Sequence, residues 1–262
     1  MTKSASITLA MILLLGISAN AQKRTHLPMH GGKLLALLDK AIKTGQSEEA
    51  ERVVRTLVVL GHHGKRAIAK RLKHPEDTAI PYILTALSRM QPDMRLLAKP
   101  LLSHKESTVR EQAAMAMAGT SHEHLMRCYE REKNPAVREA LIESLAQSDD
   151  ESITDFLLSQ LQSPDAGIRV RSVNGLALRT ASNIANEMHA IIRDAEPSVR
   201  HAGIQALGVI GTPSTLRVLL DLVPIESNPA NVQAIFDALR AITGQPFGNN
   251  IDAWKRWLGA GS

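Results

Sequence analysis

The stretch Glu196-Pro-Ser-Val-Arg-His-Ala-Gly-Ile-Gln-Ala-Leu-Gly-Val-Ile-Gly-Thr212 decides how this chain is built. Val199, Ala202, Ala206, Leu207 and Ile210 fall at i, i+3, i+7, i+8 and i+11, one apolar face of a helix. Pro197 suits the first turn, where its missing N–H costs nothing. Gly211 is expected to end the helix in a left-handed conformation, and Thr212-Pro213 to cap and open the next one.

The same pattern recurs on both sides. Val109-Arg110, Val137-Arg138, Ile168-Arg169 and Val199-Arg200 begin successive helices, spaced 28, 31 and 31 residues apart. Val232 follows after 33 more, with Gln233 in the arginine's place. Eight residues after each aliphatic stands Met117, Leu145, Leu176 or Leu207. The position three after it, Gln112, Ala140, Arg171 or Ala202, keeps an alanine only half the time. One helix pair cannot bury its own apolar face, so a period of this length implies stacked pairs.

The pairs read as Ser47–Leu60 with Lys65–Lys73, broken at Gly61-His62-His63-Gly64, then Asp77–Met90 with Asp93–Ser103. Glu106–Ala118 with His122–Glu132, Asn134–Gln147 with Glu151–Gln162, and Asp165–Arg179 with Ser182–Arg193 follow. Glu196–Ile210 with Pro213–Val223, and Asn228–Ile242, complete the series. Lys33–Lys43 is a short amphipathic helix expected to cover the first end. No segment alternates with period two, so no sheet is expected. The expected fold is all-α, a solenoid of about seven helix pairs in one continuous domain over 46–244.

With 262 residues, 44% of them apolar, the chain can bury a sizeable core. Only 3% are aromatic, so that core must be aliphatic. Cys128 has no partner for an internal disulfide and reads as a small buried apolar residue. Residues 1–21 read as a secretory signal: Lys3, an apolar run Ile7–Ile17 too short to span a bilayer, then Ala19-Asn20-Ala21. Cleavage between Ala21 and Gln22 is expected, which places the mature chain in the periplasm or outside the cell. Residues 22–31 read as a basic linker.

The pattern Val-Arg-x-x-Ala-x-x-Ala-Leu-Gly, kept best at Val199–Gly208, resembles HEAT repeats of the short bacterial type called PBS lyase HEAT-like. The likeness is good over roughly Glu106–Gly244 and degenerate over Ser47–Lys105, where Ala79-Ile80 stands for Val-Arg. It implies a right-handed superhelix whose second helices line the concave side. It says little of function, because lyases, hydroxylases and plain scaffolds share the fold. Phe247 to Trp257 looks like the closing motif of exported relatives, with Ile251, Trp254, Trp257 and Leu258 on one face. An exposed aromatic patch is the alternative.

The recurring Arg110, Arg138, Arg169 and Arg200 are expected to be structural. A polar residue three before each aliphatic (Glu106, Asn134, Asp165, Glu196) can cap the helix and accept from an arginine of its own or a neighbouring repeat. Metal chemistry is not expected. His62-His63 point apart on any helix, and His122-Glu123 is a single His-Glu pair, whereas the HEAT-repeat deoxyhypusine hydroxylase binds iron through several. There is no Gly-Lys-Ser/Thr phosphate loop or Gly-x-Ser-x-Gly elbow. No cofactor is expected.

Charge is uneven. Gln22–Lys105 carries 16 Lys/Arg against 7 Asp/Glu, and Glu106–Ser262 carries 14 against 19. On helical spacing, Arg66, Lys70 and Lys73 lie opposite Ile68 and Leu72. Arg95 and Lys99 lie opposite Leu97 and Leu101, and Arg127 and Arg131 opposite Leu125 and Tyr129. These seven would form a stripe for an acidic protein segment or an envelope polyanion. The chain thus reads as an exported, non-catalytic scaffold for protein–protein interaction, the alternative being an enzyme or a cofactor- or metal-binding protein that uses the groove.

Overall fold

The computed structural model describes residues 31–74, 77–179 and 184–259. The expected signal 1–21, its Ala21/Gln22 junction and linker residues 22–30 lie outside them. The described residues are helical, with no strand among them. In chain order the helices are α1 (Gly31–Lys43), α2 (Ser47–Leu60), α3 (Lys65–Arg71), α4 (Ile80–Ser88), α5 (Pro92–Arg95) and α6 (Ser107–Ala116). Then come α7 (His122–Arg131), α8 (Pro135–Ala146), α9 (Ser152–Gln160), α10 (Ala166–Leu178) and α11 (Ala185–Ile191). The last four are α12 (Pro197–Ile210), α13 (Pro213–Leu222), α14 (Pro229–Thr243) and α15 (Ile251–Gly259). Short 3-10 helices occupy Gly61–Gly64 and Leu96–Ser103. The fold is an α-solenoid of stacked helix pairs, falling into two compact units that meet in sequence between Cys128 and Tyr129.

In the N-terminal unit the first helices α2, α4 and α6 pack in succession, and α1 lies on α2 and α3. In the C-terminal unit α8, α10, α12 and α14 form one row, each against the next, and α9, α11 and α13 pack on it from one side. Each pair therefore buries much of its apolar face against its neighbours. Val199, Ala202, Ala206, Leu207 and Ile210 are all buried, as their spacing requires. Val109, Val137 and Ile168, the aliphatics in register with Val199, are buried too.

Local rules set most helix ends. Asn134, Asp165 and Asn228 accept N–H groups of the first turn, whereas Glu106 and Glu196 make no such side-chain bond. Thr212 and Thr215 form a reciprocal capping box that opens α13. Gly211 departs from expectation: it is extended, at φ −64° and ψ 147°, not left-handed. Its glycine is required by proximity, because a Cβ would collide with the Leu207 backbone carbonyl and crowd the Ile242 side chain of α14. Gly208 has the same role between repeats, where a Cβ would meet Ala238 Cα at 3.2 Å. The left-handed stop occurs instead at Gly244, at φ 70° after α14.

Two segments differ more substantially from the sequence expectation. The span expected as one helix from Asp93 to Ser103 is a four-residue α5 followed by a 3-10 helix containing Pro100. Proline removes an N–H and crowds the carbonyl one turn earlier, which disfavours a regular α-helix there. Leu97 is half-exposed in consequence, not buried. Cys128 is also partly exposed, on the flank of α7 beside the buried Leu125 and Tyr129.

The C-terminal end closes on aromatics. α15 packs against α13, and Trp254 is fully buried with its indole N–H donated to the Gly248 carbonyl at 2.9 Å. The Phe247 ring meets Trp254 edge-on at 5.0 Å, and Trp257 lies 6.2 Å from Trp254. These rings pack on one another, an arrangement that adds to their area burial.

Candidate functional site

The recurring arginines form clamps between neighbouring repeats. Arg169 donates from Nη1 to the Ser163 and Pro164 carbonyls, at 2.8 and 3.2 Å, in the loop before its own helix. Its Nε and Nη2 each donate to one oxygen of Asp194 at 2.8 Å, in the loop before the next first helix. Arg200 repeats this geometry, with the Asp194 and Ala195 carbonyls at 2.9 and 3.0 Å and Glu226 held at 2.7 and 2.8 Å. Arg110 makes the same carbonyl contacts, to His104 and Lys105, at 2.8 and 3.1 Å. These fork-like charge-assisted pairs fix the spacing of successive loops.

Arg138 breaks the series. Its guanidinium lies 4.5 Å from the Tyr129 ring centroid and donates to the Tyr129 hydroxyl at 2.7 Å. That hydroxyl in turn donates to Gln160 Oε1 at 2.6 Å. Ser163 occupies the register that Asp194 and Glu226 fill for Arg169 and Arg200, so that position offers Arg138 no carboxylate.

The carboxylates that complete the clamps are not the residues expected from sequence. They lie two before the cap position. The same position holds His104, Glu132, Ser163, Asp194 and Glu226, and each side chain accepts the N–H of the cap residue, at 2.9–3.2 Å. Successive spacings of 28, 31, 31 and 32 residues follow the repeat. The signal was present in sequence but chemically mixed, since four residue types share one acceptor role.

Electrostatics agrees with the geometry. The Arg200 hydrogen bonds pull the Glu226 carboxyl down to about 2, against the opposing effect of burial, with help from the Asn228 N–H and the Asn231 amide. Burial pushes Asp194 up, but the Arg169 hydrogen bonds, the Glu196 N–H and the nearby Arg200 charge leave it below the ordinary range. In the N-terminal unit Arg71 bridges Asp39 of α1 and Asp77 in the loop before α4. The Arg71 hydrogen bond likewise holds Asp77 low. All these arginines are turned to holding the stack together.

The basic residues of the second helices divide. Arg66, Lys70 and Lys73 are exposed on and just beyond α3, and Lys99 is exposed on the 3-10 helix. Among the described residues none of these four has an ion-pair partner. Arg95 is corrected from the sequence expectation. Its Nε donates to the Met90 carbonyl and its Nη1 to the Ala118 carbonyl, both at 2.8 Å, so it ties loops together. The 3-10 geometry explains this: at about 120° per residue, positions 95 and 99 no longer share a face. Arg127 is exposed with Glu123 at 4.0 Å one turn earlier, and Arg131 is exposed at the end of the same helix, in the C-terminal unit.

Between α3 and the 3-10 helix runs a groove of about 660 Å³. Ala69, Leu72, Leu96, Leu97, Pro100 and Leu101 line it, with Lys73 and Lys105 at its edge. Three carboxylates of this neighbourhood are already engaged. Asp39 and Asp77 are held by Arg71, and Asp93 lies 3.6 Å from Lys65 Nζ and 3.3 Å from His62 Nδ1. Among the described residues no three His, Cys, Asp or Glu side chains gather as ligands for a metal.

A family model of HEAT repeats matches residues 94–177 and 154–240, together more than half of the chain. No curated protein matches it.

Proposed function

The chain belongs to the HEAT-repeat family, and from that premise we propose that it is an exported, non-catalytic scaffold whose N-terminal unit holds a partner protein on its basic face. HEAT repeats are commonly protein-interaction scaffolds. The observation that carries this reading is the unequal use of charge. Most structural arginines are consumed by carbonyls and carboxylates, while Arg66, Lys70, Lys73 and Lys99 are exposed, without an ion-pair partner among the described residues, on or just beyond the two elements that border an apolar groove. Exposed like charges held together by a fold favour an acidic partner and speed its encounter.

The test is capture from envelope extracts with the full mature protein and with Arg66→Glu, Lys70→Glu, Lys73→Glu and Lys99→Glu combined. The parent should enrich a defined partner at low salt and lose it as the Debye length falls from about 10 Å at 0.1 M to about 3 Å at 1 M. The variant should fold normally and lose that partner. Retention of every interaction of the parent would remove the basic face from the account.

Export supports the same reading by placing the protein where an envelope partner is available. It rests on Lys3, the Ile7–Ile17 run and Ala19-Asn20-Ala21. Intact mass of the periplasmic or secreted protein should correspond to a chain beginning at Gln22. A cytosolic protein still carrying Met1 would sink this part.

A further inference from the structure

We infer that the groove between α3 and the 3-10 helix Leu96–Ser103 is the seat of a short acidic segment of the partner, whose aliphatic side chains enter the floor while its carboxylates meet the surrounding cations. This rests on the basic-face reading above and narrows it. The groove's size lies within the range of ligand-binding clefts, and it is open to solvent.

Two recognition chemistries converge there. The first is apolar. In a 3-10 helix side chains three apart eclipse, so Leu97, Pro100 and Ser103 line one edge of the groove in file. Leu96 remains 42% exposed, and Pro100 is exposed as well. The second is ionic. Lys73 borders the floor, Lys70 and Arg66 follow at one-turn intervals back along α3, and Lys99 precedes Pro100. None of these four is neutralised from within the described residues, because Asp39, Asp77 and Asp93 are engaged by Arg71 and Lys65.

This combination selects among occupants. A sulfated polysaccharide would satisfy the cations and leave Leu96, Leu97 and Pro100 uncovered. The chain's own residues 22–30 carry Lys23 and Arg24 and no carboxylate, so like charge opposes their docking. A purely aliphatic segment would leave four cations unused. An acidic segment bearing leucine-like side chains satisfies both.

The experiment uses the full mature protein at low ionic strength and fluorescence anisotropy of labelled probes. One synthetic peptide has the sequence Asp-Glu-Leu-Asp-Glu-Leu-Glu-Asp; in a second, both leucines are serine; unlabelled heparin fragments compete. The leucine peptide should bind about tenfold tighter than the serine peptide, since two aliphatic side chains leave water only in the first case. That advantage should vanish in Leu96→Ser/Leu97→Ser, two substitutions at incompletely buried positions, checked by circular dichroism. Both peptides should weaken in the four-site glutamate variant.

Equal affinity for the two peptides would overturn this inference and leave the basic-face reading standing. The same holds if the parent captures its envelope partner but binds neither peptide. Peptide binding unchanged by the four-site variant would overturn both. Sedimentation velocity of the protein alone supplies the remaining outcome. Self-association removed by Leu96→Ser/Leu97→Ser would make a second copy the occupant, and the inference would fall.

Discussion

Replacing Arg200 by methionine is expected to cost about 3–5 kcal/mol of stability, the range found when one partner of a buried ion pair is removed. The Glu226 side chain is fully buried and Arg200 only 14% exposed. Without Arg200 the carboxylate keeps just the Asn228 N–H and the Asn231 amide. The lowered carboxyl pKa points in the same direction, with the Arg200 hydrogen bonds as its largest cause and the Asn228 N–H and Asn231 amide adding to it against burial. A carboxyl held near 2 against an ordinary 4.5 corresponds to about 3 kcal/mol. The sign follows from the direction. A depressed folded-state pKa contributes stability that is complete above pH 4.5 and is lost as pH falls toward 2. Urea unfolding at pH 7 and across that acid range should show both effects. The parent should weaken between pH 4.5 and 2, and Arg200→Met should begin lower and fall less. The double variant Arg200→Met/Glu226→Leu should recover only part of the loss, because the Asn228 N–H and the Asn231 amide then lose their acceptor. A single variant with the parent's urea midpoint would show that the clamp contributes nothing.

Leu207→Ala should cost a comparable amount, about 2–5 kcal/mol, by leaving a cavity where a fully buried leucine stood. Its helix α12 lies between α10 and α14 and carries α11 on one side. In a stack stabilised by nearest neighbours the damage should stay local. Hydrogen exchange should accelerate over Glu196–Val223 and the faces of α10 and α14 that touch it, while α1 to α4 keep the parent's protection. Uniform acceleration along the chain would contradict nearest-neighbour stacking.

How much of this was legible in sequence varied with the kind of signal. α2 begins at Ser47 and ends at Leu60 where the apolar period and Gly61 placed it. Val199 to Ile210 was legible because five residues on one face carry one message, burial. Gly211 misled because glycine permits two things, positive φ and close approach, and composition does not say which is used. The segment 92–103 misled because a 3.6-residue period was assumed through Pro100, which shifted Arg95 and Leu97 from their expected faces.

The clamp acceptors were missed for another reason. His104, Glu132, Ser163, Asp194 and Glu226 share a geometric task without sharing chemistry, so a search for one repeated residue type passes over them. The groove was beyond sequence reach altogether. Its lining comes from two separate elements, α3 and the 3-10 helix, so it is a property of packing and not of either helix alone.

The central claim, that the N-terminal basic face holds a partner protein, is tested most directly by site-specific photo-crosslinking in intact cells. A photoreactive residue is placed at position 70 on α3, and in a second strain at position 205, exposed on α12 of the C-terminal unit. The account predicts one discrete protein adduct from position 70, absent from position 205 and abolished when Arg66, Lys73 and Lys99 are changed to glutamate in the same molecule. No adduct from position 70, or the same adduct with and without those cations, would contradict it.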